Sequence, residues 1–167
     1  MARNANDISD QLTIERVFDA SREMVWRAWT DAKYVSRWWG PKDFTAPFCE
    51  IDFRVGGRFH YCMRSPDGKE YWNVGEYREI IVPKKIVSVM YFSDKDGNKL
   101  KPSHYGFSDD FPEEMLDVMI FEEIGGAKTK LTLQRNHTLA LAKRYGEDQG
   151  WNQSLDKFAK VLASQRG

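Results

Sequence analysis

The chain has little of what would tie it to several familiar classes of protein. Two cysteines in 167 residues, Cys49 and Cys62, are too few for a disulfide framework and lack Cys-x-x-Cys spacing. In a reducing compartment they are expected to be two buried thiols. There is no excess of charge, because 25 Lys and Arg balance 25 Asp and Glu. Proteins that grip phosphate backbones ordinarily carry a basic excess, so neither nucleic acid nor an anionic membrane surface is an expected partner. No apolar run approaches the ~20 residues that cross a bilayer. The opening MARNANDISDQ has no apolar stretch of a secretory signal. Membrane insertion is therefore not expected, and the cytoplasm is the expected location. Gly-x-Ser-x-Gly, His-Glu-x-x-His, phosphate-loop and dinucleotide-binding glycine motifs are missing, so no cofactor is implied.

What is present is core-forming material. Hydrophobic residues make up 41% and aromatics 14%, including six Trp, seven Tyr and ten Phe. Folding a chain near 150 residues buries roughly 70% of its unfolded surface, enough for a core without staples. Residues 11–167 are expected to form one domain after a flexible stretch over residues 1–10.

Periodicity supplies the elements. Leu12, Ile14, Arg16 and Phe18 alternate with Thr13, Glu15 and Val17, which predicts a strand with one base in a mostly apolar face. Ser21 and Asp31 are placed to cap two short helices, the second stopped by Gly40-Pro41. Residues 44–53 and 58–64 read as strands around Val55-Gly56-Gly57. Equal parity across that turn puts Cys49, Ile51 and Phe53 on one face with Phe59, Tyr61 and Met63. His60 and Cys62 then point away from Cys49, which excludes a bridge. The Ser65-Pro66-Asp67-Gly68 turn, read as a two-residue Asp67-Gly68 loop, pairs Met63 with Trp72 and Tyr61 with Val74. Gly75 marks a bulge or a close backbone approach. Further strands are predicted over 85–93, 115–123 and 128–134. A long helix over 147–163 carries Trp151, Leu155, Phe158 and Leu162 as its apolar stripe.

Several of these segments resemble a known family. Arg16-Val17-Phe18-Asp19-Ala20, Val25-Trp26 and Trp38-Trp39-Gly40-Pro41 are similar to the opening of heat-shock-protein-90 ATPase activator homologue-like domains. So are the Asp52 to Phe59 stretch, Pro66-Asp67-Gly68, Thr129-Lys130-Leu131-Thr132, and Gly150-Trp151 before Leu155. The resemblance covers residues 12 to 163. It implies the helix-grip fold of the START and birch-pollen-allergen superfamily. This is an α+β domain in which a curved antiparallel sheet of six or seven strands wraps a long C-terminal helix, with two short helices after the first strand. Superfamily members bind lipids, sterols, polyketides or plant hormones, and some catalyse cyclisation or hydroxylation. Chaperone activation is not expected to transfer, since the extra domain of the eukaryotic co-chaperone is not part of the match.

The implied function is binding of a small, largely apolar ligand between sheet and helix. The candidate lining is Phe53, Phe59, Tyr61, Met63, Trp72, Val74, Met90 and Phe92 from the sheet, with Trp151, Leu155 and Phe158 from the helix. Arg16 is the candidate polar contact. If buried it needs a carboxylate, from Glu76, Glu50, Asp117 or the ligand, unless it makes a structural ion pair at the sheet edge. His60 and Cys62 share a strand face, but two ligands do not make a zinc site, and no metal is expected. The loop 94–113, with Tyr105, Phe107 and Phe111, is either a lid or an interface for a homodimer or another protein. Two other readings remain: a cyclase or hydrolase using Arg16, Tyr61 and a carboxylate, and a protein-interaction or co-chaperone module.

Overall fold

A computed structural model of the chain describes residues 11–165. The flexible stretch expected over 1–10 lies outside them. Seven strands form one antiparallel sheet, β1 (Gln11–Phe18), β2 (Thr45–Ile51), β3 (Arg58–Arg64), β4 (Glu70–Ile81), β5 (Lys85–Ser93), β6 (Met115–Ile124) and β7 (Lys128–Thr138). The order is β1-β7-β6-β5-β4-β3-β2. Strands β2 to β7 thus form a meander, and β1 closes against β7. Helices α1 (Arg22–Thr30) and α2 (Ala32–Trp38) follow β1, and α3 (Leu139–Arg144) and α4 (Glu147–Ser164) end the chain. No helix among the described residues is long and apolar enough to cross a membrane.

The short helices start where the caps dictate. The Ser21 hydroxyl accepts from Met24 N, and the Asp31 carboxylate from Lys33 N, supplying acceptors to helix donors that have none within the helix. Helix α4 lays Leu155, Phe158, Val161 and Leu162 against the concave face of the sheet. Phe158 meets Phe18, Trp29 and Trp38 edge-on at centroid distances of 5.0, 5.3 and 5.0 Å. The Trp38 indole also donates to Ala28 O at 3.0 Å, so this aromatic core leaves no polar group of Trp38 unmet.

The β2–β3 register pairs Cys49 with Tyr61 and Ile51 with Phe59, the parity read from the turn. Both cysteines are free. Burial, above all, pushes the Cys49 thiol up to about 12 and the Cys62 thiol up to about 11, so both stay protonated and unreactive. A side chain at Gly75 would collide with the Phe59 ring and Val89 O, 2.0 and 2.4 Å from its Cβ. The Phe59 ring fills that space.

One register differs from the sequence reading. Met63 pairs with Tyr71, Cys62 with Trp72, Tyr61 with Asn73 and His60 with Val74. The turn contains three residues, not two: Ser65 N donates to Lys69 O at 2.9 Å, and Gly68 closes it at a φ of +88°. Adding one residue moves every side chain of β4 to the opposite face. Trp72 and Val74 therefore lie on the outer face, where Trp72 packs on Phe48 and His60 at 5.4 and 5.1 Å. Asn73, Gly75 and Tyr77 take the inner one.

Candidate functional site

Between the concave sheet, the start of α4 and the loop 94–113 lies a cavity of about 190 Å³. Met63, Asn73, Met90, Phe92 and Met115 form its floor, from β3 to β6. Trp151, Gly150 and Ser154 of α4 cover it, and Trp39, Gly40 and Pro41 close one side. Phe107, Phe111 and Tyr145 close the other. A smaller chamber of about 30 Å³ adjoins it, with Trp39, Met90 and Trp151 common to both and Phe59, Tyr61, Tyr77, Ser88 and Asp117 behind.

The walls are held by specific contacts. Lys157 of α4 donates to Pro41 O at 3.1 Å and Phe44 O at 3.2 Å, tying down the turn that carries Gly40 and Pro41. Burial holds this ammonium below its usual range. Loop 94–113 folds onto the sheet. Phe107 stacks on Phe92 at 5.0 Å and meets Phe111 at 4.6 Å. The Tyr105 hydroxyl donates to Ser93 O at 2.6 Å, and the Tyr145 hydroxyl donates to Ser108 Oγ at 2.6 Å while accepting from Ser108 N at 2.7 Å.

One end of the larger cavity is charged. Asp117 of β6 faces Arg135 of β7 in register. Arg135 donates to both carboxylate oxygens of Asp117 at 2.6 and 2.9 Å, and to Oε1 of Glu147 at 2.5 Å. Its guanidinium lies 5.5 Å from the Trp151 ring centroid. His137 Nε2 bonds Glu147 Oε2. Arg135 and His137 are 4% and 5% exposed, so these groups work in a nearly dry site. Burial pushes the Asp117 carboxyl up against the pull of Arg135. For Glu147 burial acts the same way, but Arg135 and His137 outweigh it and hold the carboxyl down. Trp39 Nε1 and His137 Nδ1 are buried without a protein partner. Burial raises the phenols of Tyr61 and Tyr77, so both hydroxyls stay neutral donors.

The candidate residues read from the sequence separate into groups. Met63, Met90, Phe92 and Trp151 line the larger cavity, and Phe59 and Tyr61 the chamber behind it. Leu155 and Phe158 belong to the core under α4, and Phe53 packs on Trp26 and Tyr77 at 5.7 and 5.0 Å. Trp72 and Val74 lie outside, for the register reason above. Arg16 lines neither space. It sits on edge strand β1 and reaches the polar side of α4, bonding Asp156 at 2.6 Å and Asn152 at 3.1 Å. None of Glu76, Glu50 and Asp117 is its partner. Asp117 serves Arg135 instead, and Arg16 lines neither cavity while Tyr61 lines the smaller one, so the trio that the cyclase reading used is not assembled. His137 lies on β7, which runs to Thr138 rather than ending at Gln134.

Arg135, Glu147 and Tyr145 were missed, whereas Phe107 and Phe111 lie on the loop that the sequence offered as a lid. Arg135 had the signal that drew attention to Arg16: a base alternating with Leu131 and Leu133 on an apolar strand face. Among the described residues, no three His, Cys, Asp or Glu side chains converge to hold a metal ion.

A seven-stranded antiparallel sheet gripping a C-terminal helix, with a hollow between them, defines a helix-grip protein. The chain belongs to the family of Activator of Hsp90 ATPase homolog 1-like proteins, whose model matches residues 19–163. Comparison with curated proteins gave no match. Among solved structures, a protein of Mycobacterium smegmatis is 24% identical with a TM-score of 0.78, covering 95% of each chain. The AHSA1 protein of Silicibacter pomeroyi is 23% identical with a TM-score of 0.73, covering 93% of this chain and 99% of that one. A protein of Arthrobacter aurescens is 22% identical with a TM-score of 0.78, covering 98% and 90%. At these identities the likeness is one of fold. In general terms the family supports a ligand-binding or co-chaperone-like domain.

Proposed function

We propose that the protein binds a small, largely apolar molecule in the cavity between β3–β6, the first turns of α4 and loop 94–113. The observation that carries this is the cavity itself: about 190 Å³, walled by methionines and aromatic rings, with the Arg135–Glu147 ion pair at one end. That distribution suits a guest with one apolar body and one polar group.

Volume narrows the guest. An apolar cavity of ~150 Å³ holds a benzene molecule, and drug-sized ligands occupy ~300–1,000 Å³. A single ring with a short side group fits the space of about 190 Å³. A sterol or a long acyl chain requires loop 94–113 to lift, and that loop is the lid of this reading. Thermal-shift measurements with single-ring aromatics test it. A guest at ~100 times its dissociation constant adds about 2.7 kcal/mol of apparent stability. No shift with any single-ring compound at millimolar concentration would remove the proposal.

A further inference from the structure

The walls of the cavity and the charges at its end select for sign as well as size. Trp39, Phe92, Phe107, Phe111, Tyr145 and Trp151 all line it. The faces of such rings attract organic cations. At the charged end, one guanidinium meets two carboxylates, Asp117 and Glu147. His137 meets Glu147 through Nε2, and its buried Nδ1 has no partner. Nε2 is therefore the ring nitrogen that serves Glu147. The phenols of Tyr61 and Tyr77 stay neutral. The cluster thus sets two carboxylates against one guanidinium. An unbalanced charge in a dry site is unfavourable.

Resting on the reading that the cavity takes a guest, we infer that the guest is a small aryl-alkyl ammonium, its ring among the aromatic walls and its N–H groups donating to Glu147. Each Glu147 oxygen already accepts one bond, from Arg135 or His137, and has a second lone pair free. An acidic guest would be the third anion around one guanidinium.

Benzylamine, benzyl alcohol and benzoate share one ring and differ in the charge of a single side group. Isothermal titration calorimetry at pH 7 should rank them in that order, with benzylamine at least ~10-fold tighter than benzyl alcohol. In Glu147→Gln, with folding checked by near-ultraviolet circular dichroism, that ratio should fall at least ~5-fold. If the variant does not fold, the ranking on the unaltered chain decides alone. Benzoate binding tightest, or benzylamine and benzyl alcohol binding equally, would overturn the inference and leave the cavity reading standing. No binding by any of the three would overturn both.

Discussion

Replacing Arg135 by Met isolates the energetics of the buried charge cluster. The Arg135, Asp117 and Glu147 side chains are 4%, 8% and 13% exposed, so water cannot take over when the guanidinium goes. Met retains much of the stem that packs near Trp151 and Met115, and the loss is mostly electrostatic. Three charge-assisted bonds vanish, and two carboxylates remain together in a dry space. Breaking a buried pair in this way costs ~3–5 kcal/mol, out of the ~5–15 kcal/mol that holds a typical domain together. With a urea slope of ~1–3 kcal/mol per molar, the unfolding midpoint should fall by about 1–5 M. The companion variant is Asp117→Leu, Arg135→Met and Glu147→Gln together, in which the Gln carbonyl still accepts from His137. It should recover at least half of the loss, because no charge is left stranded. A single Arg135→Met variant within ~1 kcal/mol of the unaltered protein, or a triple variant no better than the single, would refute the account.

The same cluster fixes a pH response. Arg135 and His137 hold the Glu147 carboxyl below its ordinary value of 4.5, so its contribution is present above that value and is lost as pH falls through the folded-state value. Asp117 is shifted the other way, so it favours the folded state in acid and loses that contribution as pH rises. Glu147→Gln should therefore flatten the acid limb of stability in urea titrations below about pH 5, and an unchanged limb would reject the assignment. Gly150 lies inside α4 with 3.4 Å from a built Cβ to Pro41 Cγ, so Gly150→Ala should stabilise by up to ~1 kcal/mol, read as a raised Tm. Gly150→Leu should fold and block benzyl alcohol, and undiminished affinity would place the guest elsewhere. Tyr145→Phe removes the bonds to Ser108, so hydrogen exchange of residues 106–111 should accelerate while that of β6 and β7 does not. Trp72→Ala, on the outer face, should leave benzyl alcohol affinity within ~2-fold, whereas Phe92→Ala should weaken it about 10-fold or more.

The elements were legible because each has a strong local signal. Ser21 and Asp31 cap where capping chemistry puts them, and the α4 stripe follows the helical period. The β2–β3 register was legible because only equal parity gathers its apolar side chains on one face. The β3–β4 register was not. Asp67-Gly68 fits a two-residue turn and also the end of a three-residue one, and local sequence does not separate the two. Trp72 and Val74 went to the wrong face for that reason alone. Arg16 and Arg135 carry the same pattern, a base in an apolar alternation, and differ only in strand position. β1 is an edge strand within reach of the solvated side of α4, whereas β7 is interior. Strand order is a property of the whole chain, so the fate of each arginine was not written locally.

Asp117 and Arg135 sit opposite one another on neighbouring strands in the middle of an apolar face. Sliding β6 along β7 by one residue would send the facing side chains to opposite sides of the sheet. Sliding by two in one direction would set Asp117 against Leu133 and Arg135 against Met115, and in the other Arg135 against Met119. Each misaligned sheet strands a lone charge in oil. The hydrophobic neighbours tolerate many offsets, so it is the charged rung that proofreads this ladder and admits one alignment.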